Sequence, residues 1–367
     1  MLNSKYQNLI IIFFVSIVGF LAGSLGTLFV ENYRFNPANQ NLTKQISVFK
    51  QSDKIIEDIS IDLLGKNIVG IVLRKEKPSN ILETYYSYED IIIYGFILTN
   101  DGWIVSADNK SFHNKKNNGK LAIITNSGDI LQIEKQEIDP VSDIVFLKVD
   151  NPKKDFLAMK LGDSDKLNLL DELASIDLYG SAVKHSAVNL KKTDAIIQSS
   201  EKIGNRIVMS QSAAAGLPLI NFNSEIMGII DSVDGNFIKV IPINYFKNQI
   251  SQILKTGKLS RIFLGVSYIN LNEFPKNELS ENFIRNGKGA LIYSSDKNAA
   301  VAKGSPADIA GLKYEDIIIS IEGEKVNVNK NLSEIIQEYK QNINVNMEIL
   351  RKDKKIEAEV KLAEFDF

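Results

Sequence analysis

The chain has 367 residues, 44% hydrophobic and 24% charged, which is ordinary globular composition, and at roughly 150 residues per domain it should hold two to three domains. Its 43 Lys and Arg residues face 45 acidic ones, a formal net charge of -2, so it has no overall basic field to hold a nucleic acid backbone. Cysteine is absent and histidine occurs only twice, which excludes disulfides, thiolate nucleophiles and cysteine-based zinc sites, so neither a metal nor a cofactor is expected.

In chain order, residues 1–8 read as a short cytoplasmic tail and 9–30 (LIIIFFVSIVGFLAGSLGTLFV) as one transmembrane helix. The run carries no charge, and at 1.5 Å per residue it spans about 33 Å, the depth of a bilayer core. A cleaved signal peptide is the competing reading, but its apolar region is usually about 7 to 15 residues long, and no clear A-x-A site follows here. With Lys5 on one side and Arg34 beside Glu31 on the other, the charge bias is weak, and the bulk of the chain is placed outside the cell membrane. Residues 31–66 set Leu42, Ile46, Phe49, Ile56 and Leu63 near heptad spacing, interrupted by Asp53 and Ser60. They read equally well as a stalk helix or as a linker.

Residues 67–257 form the next region, up to 242 a series of short apolar runs: NIVGIVLR, DIIIYGFILT, GWIVSA, KLAIITN, DIVFLKV, RIVMS and EIMGIID. Turn chemistry such as Asn100-Asp101-Gly102 separates them, the pattern of an all-β barrel or sandwich. YFKNQISQILKTG then predicts a helix capped by Asn244 and ended by Gly257.

Four segments in order, GFILTNDGWIVSADN (95–109), DPVSDIVFLKV (139–149), LGDSDKL (161–167) and AAAGLPLINFNSEIMGII (213–230), resemble the HtrA (DegP-like) trypsin-fold serine proteases. The join into the last region, IPIN-helix-GKLSRIFLGV, is similar to that family too. The resemblance implies a mainly β fold: a chymotrypsin-type double β-barrel followed by an α+β PDZ domain over 258–363. It also implies the triad positions. The histidine falls on Asn109, the aspartate on Asp143 and the serine, counting back from Pro218, on Ala215. An amide has no usable basicity near neutral pH and a methyl group is no nucleophile, so proton transfer and acyl transfer both lack their agent. The resemblance puts the oxyanion turn at Ala213 and Ala214; of the family's glycines flanking the serine, one falls on Ala213, where a Cβ penalises positive φ, and one on Leu217.

Two readings follow. In the first, the chain is a catalytically degenerate member, a pseudoprotease acting as an adaptor. In the second, it is an endopeptidase of envelope quality control with rearranged residues, for which His113 and Ser212 are the nearest substitutes. Those are offset by roughly 10 to 13 Å of extended chain, against a tolerance of about 1 Å. His185 reads as a surface or loop residue.

The last region keeps its working letters. Ser305 caps a short helix with Pro306 in its first turn, Gly311 ends it, 332–340 reads as an amphipathic helix, and a closing hairpin turns at 352–354. The family's carboxylate-binding loop matches Phe263, Leu264, Gly265 and Val266, with Leu332 and Ile336 on the groove helix. The resemblance implies that backbone amides of this loop hold a peptide carboxylate while the peptide adds a strand to the sheet edge. The implied partners are protein C-termini or exposed hydrophobic peptides, with a homotrimer or an active paralogue as the assembly.

Overall fold

The computed structural model describes residues 64–75, 80–117, 119–150, 156, 158–193, 195–273, 288–339, 342–352 and 354–366. The first barrel contains β1 (Ile68–Leu73), β2 (Ile91–Ile97), β3 (Trp103–Ala107), helix α1 (Lys110–His113), β4 (Leu121–Thr125), β5 (Ile130–Asp139) and β6 (Ile144–Val149). Its strands close in the order β1-β2-β3-β6-β5-β4 around Ile68, Ile71, Phe96, Ile104 and Phe146, all 0% exposed. These β-branched and aromatic side chains pack well on pleated surfaces, and closure leaves no unpaired edge. The β3–β6 ladder ends at Ala107↔Ile144, and Asp108 N donates to Asp143 O at 2.8 Å just beyond it. The segments following β3 and preceding β6 therefore meet at one end of the barrel.

Next come β7 (Lys160–Leu161), β8 (Glu172–Ile176), β9 (Ala182–Lys192), β10 (Ile197–Ser199), β11 (Arg206–Ser210), β12 (Pro218–Ile220), β13 (Glu225–Asp234) and β14 (Phe237–Pro242). They run β12-β8-β9-β11-β14-β13, and a β12–β13 pairing closes this second barrel, with β7 added parallel to β13. Strand β10 leaves the barrel for another sheet, although it lies inside the expected barrel region. Helix α2 (Lys247–Thr256) ends at Gly257 as expected, but Asn244 does not cap it. Its amide instead donates to Asp163 at 2.9 Å and accepts from Ser164 N at 3.4 Å, partners that only the folded barrel brings to it.

The last region comprises β15 (Ser260–Phe263), β16 (Ser267–Asn270), β17 (Ala290–Ile292), α3 (Pro306–Ile309), β18 (Ile317–Ile321), β19 (Glu324–Lys325), α4 (Leu332–Gln337), β20 (Asn344–Arg351), β21 (Lys354–Lys361) and β22 (Ala363–Asp366). One sheet runs β10-β16-β17-β18-β20-β21, while β15 pairs with β22. Ser305 caps α3 by accepting from Asp308 N, and the closing hairpin turns between Arg351 and Lys354. Helix α4 is not amphipathic in the expected sense, because all of Leu332–Gln337 is buried. Its Glu334 takes Lys191 Nζ of β9 at 3.1 Å, and the Tyr245 hydroxyl also donates to it. A buried ion pair joins the first barrel to the last region, with Arg261 Nε on β15 3.0 Å from Asp139 Oδ1 on β5, Nη2 on the other oxygen, and the residues 3% and 0% exposed.

Among the described residues no helix is long and apolar enough to cross a membrane. The expected tail, membrane helix and most of the stalk, residues 1–63, lie outside the described residues.

Candidate functional site

Asn109 follows β3 and opens α1, where its side chain accepts from Ser111 N at 2.9 Å. An extended residue with an Asn side chain is a good helix N-cap, so the amide is spent on its own helix. Asp143 lies immediately before β6 with φ 62°. Ala215 enters the same region through its carbonyl, which accepts from Tyr94 N at 3.1 Å, and Ser106 Oγ on β3 donates to Tyr94 O at 2.7 Å. Of the three expected triad positions, Asn109 and Asp143 thus lie at the ends of β3 and β6, and Ala215 is bonded to the middle of β2.

The acid position is already occupied. Arg206 Nη2 lies 2.6 Å from Asp143 Oδ2, and Lys202 Nζ lies 3.1 Å from Oδ1. Arg206 also binds Asp231 at 3.0 Å and donates to the carbonyls of Ile203 and Asn205 at 2.8 and 3.1 Å. Both carboxylate oxygens therefore answer to cations from β11 and the turn before it rather than to an imidazole. Sequence reasoning missed Arg206 and Lys202. Nothing local marks them, although an arginine opening the apolar run RIVMS is a weak hint that a buried acid awaits it.

The turn at the nucleophile position takes its left-handed residues at Gln211 (φ 67°) and Gly216 (φ 84°), not at Ala213. Ala214 is exposed, and Ala213 and Ala215 are half-buried. A Cβ on Gly216 would lie 1.9 Å from Tyr94 O, so this glycine is required both by its φ and by the close approach of β2. Gly216 N–H is committed to Ile230 O at 2.7 Å.

Both histidines have partners of their own. His113 Nε2 pairs with the Asp108 carboxylate at 2.7 Å on the surface. His185 is a correction: it is 0% exposed, because β9 runs between β8 and β11 and turns this ring inward. Nδ1 lies 2.8 Å from Ser210 O and 3.2 Å from Gln211 O, and Nε2 lies 2.8 Å from Ser175 Oγ. Carbonyls only accept, so Nδ1 carries the proton and Nε2 accepts from the serine. Burial pushes the ring's pKa below its ordinary value. This Ser–His pair is sealed in the barrel wall and steadies the strand leading to the 211–216 turn. Among the described residues no cluster of three or more metal-ligating side chains occurs.

The positions expected to bind peptide lie in the last region. Leu264, Val266, Leu332 and Ile336 belong to the apolar core of the last region, while Phe263 is half-buried. Gly265 has φ 87°, and a Cβ there would meet Ser305 Cβ at 2.3 Å, so a side chain would disturb the cap of α3 as well as the loop. The loop amides are not open to solvent. Leu264 N and Gly265 N both donate to Glu201 Oε1, at 3.1 and 2.8 Å, and Val266 N donates to Ser200 Oγ at 2.9 Å. Upstream, β10 pairs antiparallel with β16 through Ile197↔Ile269, Gln198↔Tyr268 and Ser199↔Ser267, and Ser200 N continues the ladder to Val266 O at 2.9 Å. The turn that brings Glu201 to this loop also brings Lys202 to Asp143.

Two six-stranded antiparallel barrels joined to a sheet-and-helix peptide module define a trypsin-fold protein with a PDZ domain. Comparison with known proteins agrees. The PDZ domain family matches residues 263–362. The chain is 27% identical over 276 residues to a probable periplasmic serine endoprotease DegP-like of Pseudomonas putida, covering 72% of this chain and 54% of that protein. It is 28% identical over 278 residues to the protein of the same description in Chlamydia trachomatis, covering 72% and 52%. With the serine protease Do-like HtrA of Bacillus subtilis it shares 27% over 286 residues, covering 68% and 62%. The solved HtrA-type protease AlgW with decapeptide has the same fold, with a TM-score of 0.61 at 15% identity over 84% of this chain and 98% of AlgW. The chain is thus similar to HtrA/DegP-like serine proteases and carries a C-terminal PDZ domain. It spans about half the length of the first two relatives.

Proposed function

We propose that the chain is a membrane-anchored, extracytoplasmic HtrA-like pseudoprotease that acts as a peptide- and protein-binding adaptor through its PDZ domain. The observation that carries this reading is the state of the triad positions. Asn109 caps its own helix, Ala215 offers a methyl group, and Asp143 is held by Arg206 and Lys202. A base that cannot accept a proton, a nucleophile without a hydroxyl and an acid already neutralised leave no route for acyl transfer. The extracytoplasmic placement is supported by relatives described as periplasmic, and the anchor by the charge-free run 9–30. Peptide binding is supported by the family loop at 263–266 and by the decapeptide bound to AlgW. The partners are protein C-termini or exposed hydrophobic peptides.

The test is made on the full chain in detergent. It should turn over denatured casein no faster than a buffer control, take no label from a serine-reactive fluorophosphonate, and still bind peptides with free C-termini. Casein turnover that survives repurification, together with a labelled serine, would return the protein to the enzymes.

A further inference from the structure

We infer that residues 196–201 are a tethered ligand of the chain's own PDZ groove, with the Glu201 carboxylate standing where the terminal carboxylate of a bound peptide would stand. The inference rests on the peptide-binding reading above and adds what fills the groove and what must displace it. The segment runs antiparallel to β16 and ends at the 263–266 loop, the direction in which an added peptide strand would present its C-terminus. Its acidic end meets the loop as a terminal carboxylate would. Oε1 accepts from Leu264 N and Gly265 N, while the hydroxyls of Ser200 and Ser199 hold the two carboxylate oxygens at 2.6 and 3.0 Å. Charge-assisted bonds from backbone amides are among the stronger hydrogen bonds a protein makes.

The side chains match the groove as well. Gln198, 8% exposed, accepts from the Tyr268 hydroxyl at 2.8 Å and donates to Glu273 Oε2 at 2.7 Å. Burial raises the Tyr268 phenol pKa, so it stays a donor at any physiological pH. A groove that pairs one donor and one acceptor with this amide selects an amide, because an apolar side chain there would leave buried polar atoms unpaired. The displacing ligand is therefore a peptide with a free carboxylate and an amide side chain at the position of Gln198. A tethered competitor acts at an effective concentration on the order of millimolar, so the groove answers only to partners that outcompete it.

The experiment uses the full chain in detergent, as wild type, Glu201→Gln and Glu201→Ala. The probe is a fluorescent peptide Ile-Ile-Gln-Ser-Ser with a free C-terminus, copied from residues 196–200, with an amidated form and an Ile-Ile-Leu-Ser-Ser form as controls. The first readout is hydrogen exchange at the amides of Leu264 and Gly265, and the second is the peptide dissociation constant. In Glu201→Ala these amides should lose protection and the peptide should bind about tenfold or more tightly, with Glu201→Gln between. Both controls should bind at least about tenfold more weakly than the free amide-bearing peptide. Unchanged exchange at Leu264 and Gly265 in both variants would overturn the inference whatever the peptide does. Raised exchange with no peptide bound by any protein would support the tethered ligand and sink the adaptor reading instead. Glu201→Gln keeps the side-chain shape, so it carries the test should Glu201→Ala not fold.

Discussion

Replacing Asn109 with His and Ala215 with Ser restores the family letters at two triad positions, yet the pair of changes should yield almost no proteolysis. The reason is Asp143. A new imidazole at 109 needs this carboxylate to fix its tautomer and stabilise its charge, but Arg206 at 2.6 Å and Lys202 at 3.1 Å already hold both oxygens. In a working triad, losing the acid's role costs about 10⁴ in turnover, which is about 5.4 kcal/mol of transition-state stabilisation. The double variant should therefore reach no more than about 10⁻⁴ of an active DegP-like relative assayed beside it on denatured casein. Adding Lys202→Ala and Arg206→Gln frees the acid and should raise turnover above the double variant. The gain is bounded by the cost of stripping Arg206 from Asp231 and from the carbonyls of Ile203 and Asn205. Turnover by the double variant within about tenfold of the relative would refute the argument, since it would show that Asp143 turns readily from its cations to the new base.

Other outcomes follow from the same contacts. Arg261→Leu leaves the fully buried Asp139 carboxylate without its cation and should destabilise the full chain by about 3–5 kcal/mol in urea unfolding, whereas a loss below about 1 kcal/mol would mean the pair is solvated. His185 has a depressed pKa in the folded state, so its contribution is present above the unfolded value of about 6.5 and is lost as pH falls from there toward the folded pKa. Stability measured against pH should thus drop below about 6.5, and His185→Gln should flatten that part of the curve while lowering stability throughout. If 9–30 is an uncleaved anchor, the chain should resist carbonate extraction and keep its N-terminus; a mature chain beginning between about 23 and 35 would show a cleaved leader.

Much of the fold was legible because strand runs and turn residues act locally. NIVGIVLR, DIIIYGFILT, GWIVSA and DIVFLKV became β1, β2, β3 and β6, and the expected triad positions 109, 143 and 215 were read from the letters alone. Strand β9, AVKHSAVNLKK, was not legible: its polar alternation resembles a loop until neighbouring strands give His185 a serine and two carbonyls. The same reason explains α4, where Glu334 looks solvent-facing by helical periodicity but meets Lys191 and Tyr245, and Gln337 bonds the backbone of Ile262 on β15. Sequence by itself determined which side chains stand at the expected triad positions, since a side chain's acidity or lack of a hydroxyl is intrinsic to the residue. Tertiary structure alone decided what took its place. Arg206 reaches Asp143, and Glu201 reaches the amides of Leu264 and Gly265, across long stretches of chain. Such pairings depend on which surfaces the barrels and the PDZ sheet bring within about 3 Å, and no local pattern encodes that distance.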